Sequence, residues 1–274
     1  MTVKVCGGNT GNDYTGVADA QINESAGQQN INSGSSTSIY WGSPSASNRK
    51  HMLMRFDGLA ALTAAFGSVT VTDAVLSIRS LDAMGSTTAL RLCKLLVPFV
   101  QAQATWLNRA TATPWTTAGG FGASDCDTAG FATGTVPTAT GYFSVGGLAT
   151  QVQRWLDGTD PNYGFLISAD PNTLYNGITP RFATTEGTSG NRPYLTVTFT
   201  TVPKISVGDV TVSNTSGTAT FVVSLDTSSA SSITVNYATA DDTATAGVDY
   251  TSTSGTLTFA PGETSKNVVV PILP

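Results

Sequence analysis

The clearest pattern in the chain is the run His51-Met52-Leu53-Met54-Arg55-Phe56-Asp57. Met52, Met54 and Phe56 alternate with Leu53, Arg55 and Asp57, which puts the two sets on opposite faces of a strand. An arginine in mid-strand is costly to bury without a partner. Asp57 shares its face two residues on, so the run predicts a central strand with a buried or half-buried Arg55–Asp57 ion pair. Gly58 ends the strand.

The same period of two recurs on both sides. Ala18 to Ile22 reads as a short strand, and Ile39-Tyr40-Trp41 as the approach to a turn-rich patch, Gly42-Ser43-Pro44-Ser45. Val69 and Val71 are apolar on one parity and Ala74, Leu76 and Ile78 on the other, a change of phase that predicts a bulge near Asp73. Leu90 to Val97 is apolar on both faces and belongs inside a sandwich. Leu148, Val152, Trp155 and Leu156 are spaced as on one face of a helix, closed by Gly158; this is the single helix the pattern predicts. Tyr163–Ile167 and Tyr194–Phe199 follow as strands.

After Thr200-Thr201-Val202-Pro203-Lys204 the texture changes. Proline there stops sheet pairing and stiffens a joint, so the chain divides into residues 1–201 and 202–274. The second part has no Trp and no Cys. Its strand faces are Phe221/Val223/Leu225, Ile233/Val235/Tyr237, Leu257/Phe259 and Val268/Val270/Ile272, at sandwich spacing. Ile205/Val207 and Val210/Val212 read as one further strand broken at Gly208. The pattern gives an all-β fold class, with one sandwich in each part.

Composition narrows the function. Only 11% of the residues are charged, against roughly 25% in ordinary soluble domains. The net charge of −5 argues against nucleic acid, which needs a basic face. Cys6, Cys93 and Cys126 are odd in number and lack CxxC spacing, which argues against zinc; one disulfide fits, and buried thiols are the simpler reading. No apolar run has the length to span a membrane. Met1–Cys6 has no core of signal-peptide length, which suggests a processed start or a route without general secretion, as for virion proteins.

Chemistry is sparse. His51 is the one histidine, and no GxSxG elbow accompanies it, so a catalytic triad is not expected. Asp57, Asp125, Asp127, Asp157, Asp160 and Glu186 are the acids that could form a glycosidase pair, but Asp57 is better read as the partner of Arg55. Aromatic side chains near polar loops suit sugar binding, because pyranose faces stack on rings while hydroxyls find hydrogen bonds. Tyr40, Trp41, Trp115 and Tyr175 are the candidates for a glycan site.

Two family resemblances join these readings. Leu53-Met54-Arg55-Phe56-Asp57, Ala74-Val75-Leu76-Ser77-Ile78, Ala104-Thr105-Trp106-Leu107-Asn108, Trp155 with Gly158, Arg181 to Glu186 and Arg192-Pro193-Tyr194 together resemble the DNRLRE family. That resemblance implies a jelly roll of the carbohydrate-binding-module kind, with Arg55, Asp57, Trp106, Trp155 and Glu186 as structural residues. The second part resembles a Calx-β domain through Gly247-Val248-Asp249-Tyr250, Gly255 to Phe259 and Pro261-Gly262-Glu263-Thr264. That resemblance implies an immunoglobulin-like sandwich, and some members of the family hold calcium. Here the early acidic position is Asn214, leaving Asp249 with Asp241 and Asp242 as the possible ligands. The family pattern would continue past Pro274, so three expectations stand: a chain that runs on, which is the preferred one, a disordered tail, or a sandwich completed by a strand from another subunit. The sequence thus points to a non-catalytic adhesive or structural module of an extracellular or virion-surface fibre, probing polysaccharide and assembling with other copies. A filament subunit without glycan binding is the alternative, and a carbohydrate-active enzyme a distant third.

Overall fold

The computed structural model describes residues 1–6, 17–42, 48–127, 132–169, 180–229 and 231–274. It is all-β, with two compact units, Met1–Thr200 and Thr201–Pro274.

In the first unit the strands are β1 Thr2–Cys6, β2 Val17–Asn23, β3 Ser38–Tyr40, β4 Lys50–Phe56, β5 Val69–Ser80, β6 Thr88–Lys94, β7 Asn108–Ala110, β8 Thr113–Pro114, β9 Ala132–Val136, β10 Gly141–Val145, β11 Phe165–Ala169, β12 Arg181–Ala183 and β13 Tyr194–Thr201. Helix α1 is Ala60–Phe66 and helix α2 is Ala149–Leu156. One sheet runs β1-β13-β5-β12-β3, with β10 also paired to β5; the other runs β2-β4-β11-β6-β9.

The main core lies where the inward parities meet. Met52, Met54 and Phe56 from β4 pack with Leu76 and Ile78 from β5 and Leu195, Val197 and Phe199 from β13. The other parity of β4 and β6 is also buried. Leu53, Cys93 and Leu95 pack under Phe99, Trp106 and Trp115 in a second apolar cluster. This explains why residues 90–97 are apolar on both faces: one face meets the opposite sheet, the other meets the long segment after β6. Cys93 and Cys126 form a disulfide across that segment, which corrects the reading of the cysteines as idle thiols. Closing a loop of this length restricts the unfolded chain by about 3–4 kcal/mol.

Three local expectations change in the structure. Asp57 opens a 3₁₀ turn and does not continue β4. Its ion pair with Arg55 is present at 2.5 Å and half-buried, with Arg55 mostly covered and Asp57 half exposed. The phase change in β5 is visible as burial of Val69 on one parity and Ala74, Leu76 and Ile78 on the other, within one continuous strand. Helix α1 is an addition; its Ala60-Ala61-Leu62-Thr63-Ala64-Ala65-Phe66 sequence buries only Leu62, too narrow a stripe to stand out as a period. Helix α2 falls where its spacing predicts, and Gly158 beyond it has φ +72°, a conformation that favours glycine.

The second unit contains β14 Ile205–Val207, β15 Thr218–Leu225, β16 Ile233–Ala238, β17 Ser254–Phe259 and β18 Ser265–Pro271. A three-stranded sheet, β14-β15-β18, and a two-stranded sheet, β16-β17, enclose a small core around Val223, Leu225, Tyr250, Phe259, Val268 and Val270. Val210 and Val212 are exposed and lie outside any strand, because β14 ends at Val207.

Candidate functional site

The predicted aromatic platform is not where the sequence placed it. Trp41 is fully buried: its ring stacks on Phe182 at 5.1 Å and its Nε1 donates to the Ile167 carbonyl at 3.3 Å. Trp115 is buried too, with Nε1 donating to the Thr105 carbonyl at 2.9 Å. Both are core side chains, Trp41 in the main cluster and Trp115 in the second. Tyr175 lies outside the described residues. Tyr40 alone presents a ring to solvent, 49% exposed, with Lys50 Nζ 5.2 Å from its centroid.

The pleat explains what Tyr40 belongs to. Ile39 and Phe182 are paired and face the core, so Tyr40 and its partner Arg181 face outward. Phe143 pairs with Ile78 inside, so Tyr142 and its partner Arg79 face outward as well. Leu195 and Val197 are buried, so Tyr194 also points out. The outer face of this sheet therefore carries a basic and aromatic stripe. Lys4 Nζ sits 4.5 Å from the Tyr194 ring, Tyr194 packs on Tyr142 at 5.3 Å, and the Arg79 guanidinium lies 5.6 Å from the Tyr142 ring. Farther along, Arg181 is held by Asp82 in a two-pronged ion pair at 2.8 and 3.0 Å. The Tyr142 hydroxyl donates to the Arg192 carbonyl at 2.8 Å, which fixes its ring. Sequence reading missed Tyr142 and Tyr194. The available signal was parity: each tyrosine neighbours an inward apolar residue, Phe143 or Leu195, and so must face out.

Two of the acids considered for catalysis, Asp125 and Asp160, have structural occupations. Asp125 is buried and accepts from the Thr116 and Thr117 backbone amides, both at 2.8 Å. Asp160 is shared by Arg154, Lys94 and Gln151, and its carboxyl is held well below the usual carboxylate range, chiefly by the hydrogen bond from Arg154. His51 is buried beside Trp106 and Phe121, and its Nδ1–H donates to the Gly119 carbonyl at 3.0 Å. Burial pushes its pKa down to about 4, so it is neutral at physiological pH.

Glu186 lies beside a residue that sequence reading passed over. Asp19, in the middle of β2, is completely buried, and its Oδ2 accepts from the Thr185 amide at 2.8 Å. Burial, with the neighbouring Glu186 carboxylate adding to it, pushes Asp19 up to about 7. Glu186 itself accepts from Gln101 Nε2 at 2.6 Å and from the Thr185 hydroxyl at 3.1 Å.

In the second unit Asp241 Oδ1 accepts from the Tyr250 hydroxyl at 2.7 Å and the Ala246 amide at 2.8 Å. Those hydrogen bonds lower its pKa, the Tyr250 contribution being the largest. Asp249 Oδ2 accepts from the Thr245 amide at 2.8 Å. The two carboxylates staple the loop between β16 and β17. Asp242 adds no side-chain bond to this staple. Among the described residues no group of three or more His, Cys, Asp or Glu side chains is arranged to hold a metal.

Comparison with known proteins places the second unit. Residues 199–274 match the family model of the Calx-beta domain, a β-sandwich family associated with calcium binding in general. No curated protein shows a significant match to the chain. Among the described residues no helix is long and apolar enough to cross a membrane.

Proposed function

We propose that the chain is a non-catalytic, glycan-binding surface module, and that its ligand is an acidic polysaccharide held on the outer face of the β1-β13-β5 sheet. The observation that carries this reading is the stripe Lys4, Tyr194, Tyr142 and Arg79, in which each outward-facing, half-buried ring has a cation against it. Sugar C–H faces stack on tyrosine rings, and carboxylates on the sugar accept from Lys and Arg in charge-assisted bonds. The stripe is basic although the chain carries a net charge of −5, so it concentrates positive charge where an acidic polymer would lie. The DNRLRE-like motifs of the first unit agree with a carbohydrate-binding jelly roll. The acids most suited to hydrolysis are tied into structural bonds, which favours holding over cleaving. A disulfide persists in oxidising surroundings, so the reading places the module outside the cytosol, on a cell or virion surface.

The test is affinity electrophoresis of the full chain through gels containing a polyuronate or a neutral glucan. We expect retention by the polyuronate, weakened at least tenfold in the double variant Tyr142→Ala/Tyr194→Ala. Retention by neither polymer, or a double variant that runs as wild type, would sink the reading.

A second reading rests on the second unit. Ile205, Val207, Phe221, Val235, Tyr237 and Leu257 line an apolar cavity of about 400 Å³ between its two sheets. Ile205 and Val207 on the edge strand β14 are exposed. An added strand would cover this surface and pair the open backbone, which would make the chain a self-assembling filament or virion subunit.

A further inference from the structure

Asp19 faces the interior of the first unit from an edge strand. Its register partner is Met54, a main-core residue, and its carboxylate reaches across to Thr185, in the segment after β12 of the opposite sheet. One oxygen, Oδ2, is used there. The other, Oδ1, is buried and receives no hydrogen bond from any N–H or O–H group, and the side chain's other polar neighbour is the Glu186 carboxyl. An unpaired, fully buried carboxylate oxygen is among the costliest groups a fold can keep. The second acid at this place is Glu186, and among the described residues no basic side chain bonds to either one.

The surroundings are rich in oxygen and tightly drawn together. Gln101 Nε2 ties Glu186 to the Gly34 carbonyl, at 2.6 and 2.7 Å. The Thr184 hydroxyl donates to the Ser36 carbonyl at 2.5 Å. A side chain at Gly187 would begin 2.9 Å from the Thr37 carbonyl oxygen and 3.1 Å from that of Thr184, so backbone oxygens line the segment where the two acids sit. Three stretches of chain, 34–37, around 101 and 184–187, thus converge on two carboxyl groups with no positive charge between them.

We propose that Asp19 and Glu186 hold a hard divalent cation of the calcium class, completed by neutral oxygens of these three stretches and by water. Calcium takes six to eight oxygens and accepts carbonyls, hydroxyls and water beside carboxylates, so two acids suffice for the charge. The ion would satisfy the orphaned oxygen and offset the like-charge contact. It would also pin the edge of one sheet to the edge of the other, making it a structural ion of the first unit. This site is separate from Asp241 and Asp249, whose oxygens staple a loop of the second unit.

The test uses the full chain, freed of metal with a chelator, and titrates calcium chloride by calorimetry at neutral pH, with thermal melting in calcium and in chelator alongside. We expect one saturable site and a melting temperature several degrees higher in calcium. Glu186→Gln should weaken binding at least tenfold and abolish the calcium-dependent rise in melting temperature. Glu186 is only half buried, so that variant leaves the core packing in place; Asp19→Asn is the second variant, and each is first checked for the wild-type circular dichroism spectrum. Absence of calcium binding in the wild type overturns the proposal. So does undiminished binding in both variants, or loss of binding in Asp249→Asn with none in Glu186→Gln.

Discussion

The two units solve the same problem at different depths. In the first, two sheets bury their inner faces on each other, and a long segment covers the outer face of one of them, giving two apolar clusters. Room exists there for completely buried Trp41, Phe56, Phe165 and Phe199, and for the polar His51 and Asp19 among them. In the second, five strands enclose one small cluster, and strand β16 alternates between half-buried and exposed positions with no fully buried residue. Burial rises with size, so the larger unit can carry awkward groups in its interior, whereas the smaller one leaves an apolar cleft between its sheets.

The contrast can be broken or sharpened by experiment. The largest effect is expected from Trp41→Ala, which empties the centre of the main core and should cost the first unit about 3–5 kcal/mol. All four tryptophans lie in that unit, so fluorescence in a urea titration reads its transition alone. Hydrogen exchange over residues 205–274 should not change. A uniform loss of protection in both units would show that they fold as one.

Next comes acid. His51 has its folded pKa pushed down to about 4 by burial, against 6.5 for the free side chain. A depressed folded pKa means the unfolded chain binds the proton first, so stability is full above pH 6.5 and is lost as the pH falls toward 4. By the pKa difference the loss reaches about 3 kcal/mol. The second unit has no histidine and should lack this component. Asp19, raised to about 7, contributes the opposite trend over the same range, so urea titrations between pH 7 and 4 compare the wild type with His51→Gln; equal pH slopes of the first transition in the two would overturn the His51 contribution.

The smallest effect on stability is expected at the edge of the second unit. Val207 is exposed on β14, so Val207→Lys should alter unfolding by no more than about 0.5 kcal/mol. A lysine on an edge strand opposes further pairing. If the cleft takes a strand from another copy, the variant should lose concentration-dependent association that the wild type shows in sedimentation. A wild type that stays monomeric at high concentration removes the assembly reading.

What could be read from the residues alone follows a physical line. Alternation gave β4 its correct faces, because Met52 and Met54 on one side and Leu53 on the other are distinct in the structure as well. Helical spacing found α2 for the same reason. Side-chain environment that depends on distant segments was not legible. Trp41 and Trp115 sit beside Gly- and Ser-rich stretches, which suggested exposure, yet their cover comes from Ile167, Phe182 and Thr105. Asp19 looked like an ordinary polar position in a short strand; only the return of Thr185 and Glu186 from the other end of the unit makes it a buried acid pair. The Cys93–Cys126 bridge spans 33 residues, and nothing local marks one end as the mate of the other.

Two glycines of the first unit have a consequence of their own. A methyl group at Gly164 would fall 2.1 Å from the Met54 carbonyl oxygen, and one at Gly119 would fall 2.6 Å from the indole of Trp106; both residues have positive φ. Neither backbone nor a wedged indole can yield by that much. These are places where the chain is defined by the lack of an atom: the entry to β11 presses directly on the central strand, and the loop that accepts the proton of His51 lies flat on a ring. Any library of variants should therefore come back blank at these two positions while tolerating change at Gly141 or Gly158, where an added carbon meets nothing within 4 Å and the cost is one of backbone conformation alone.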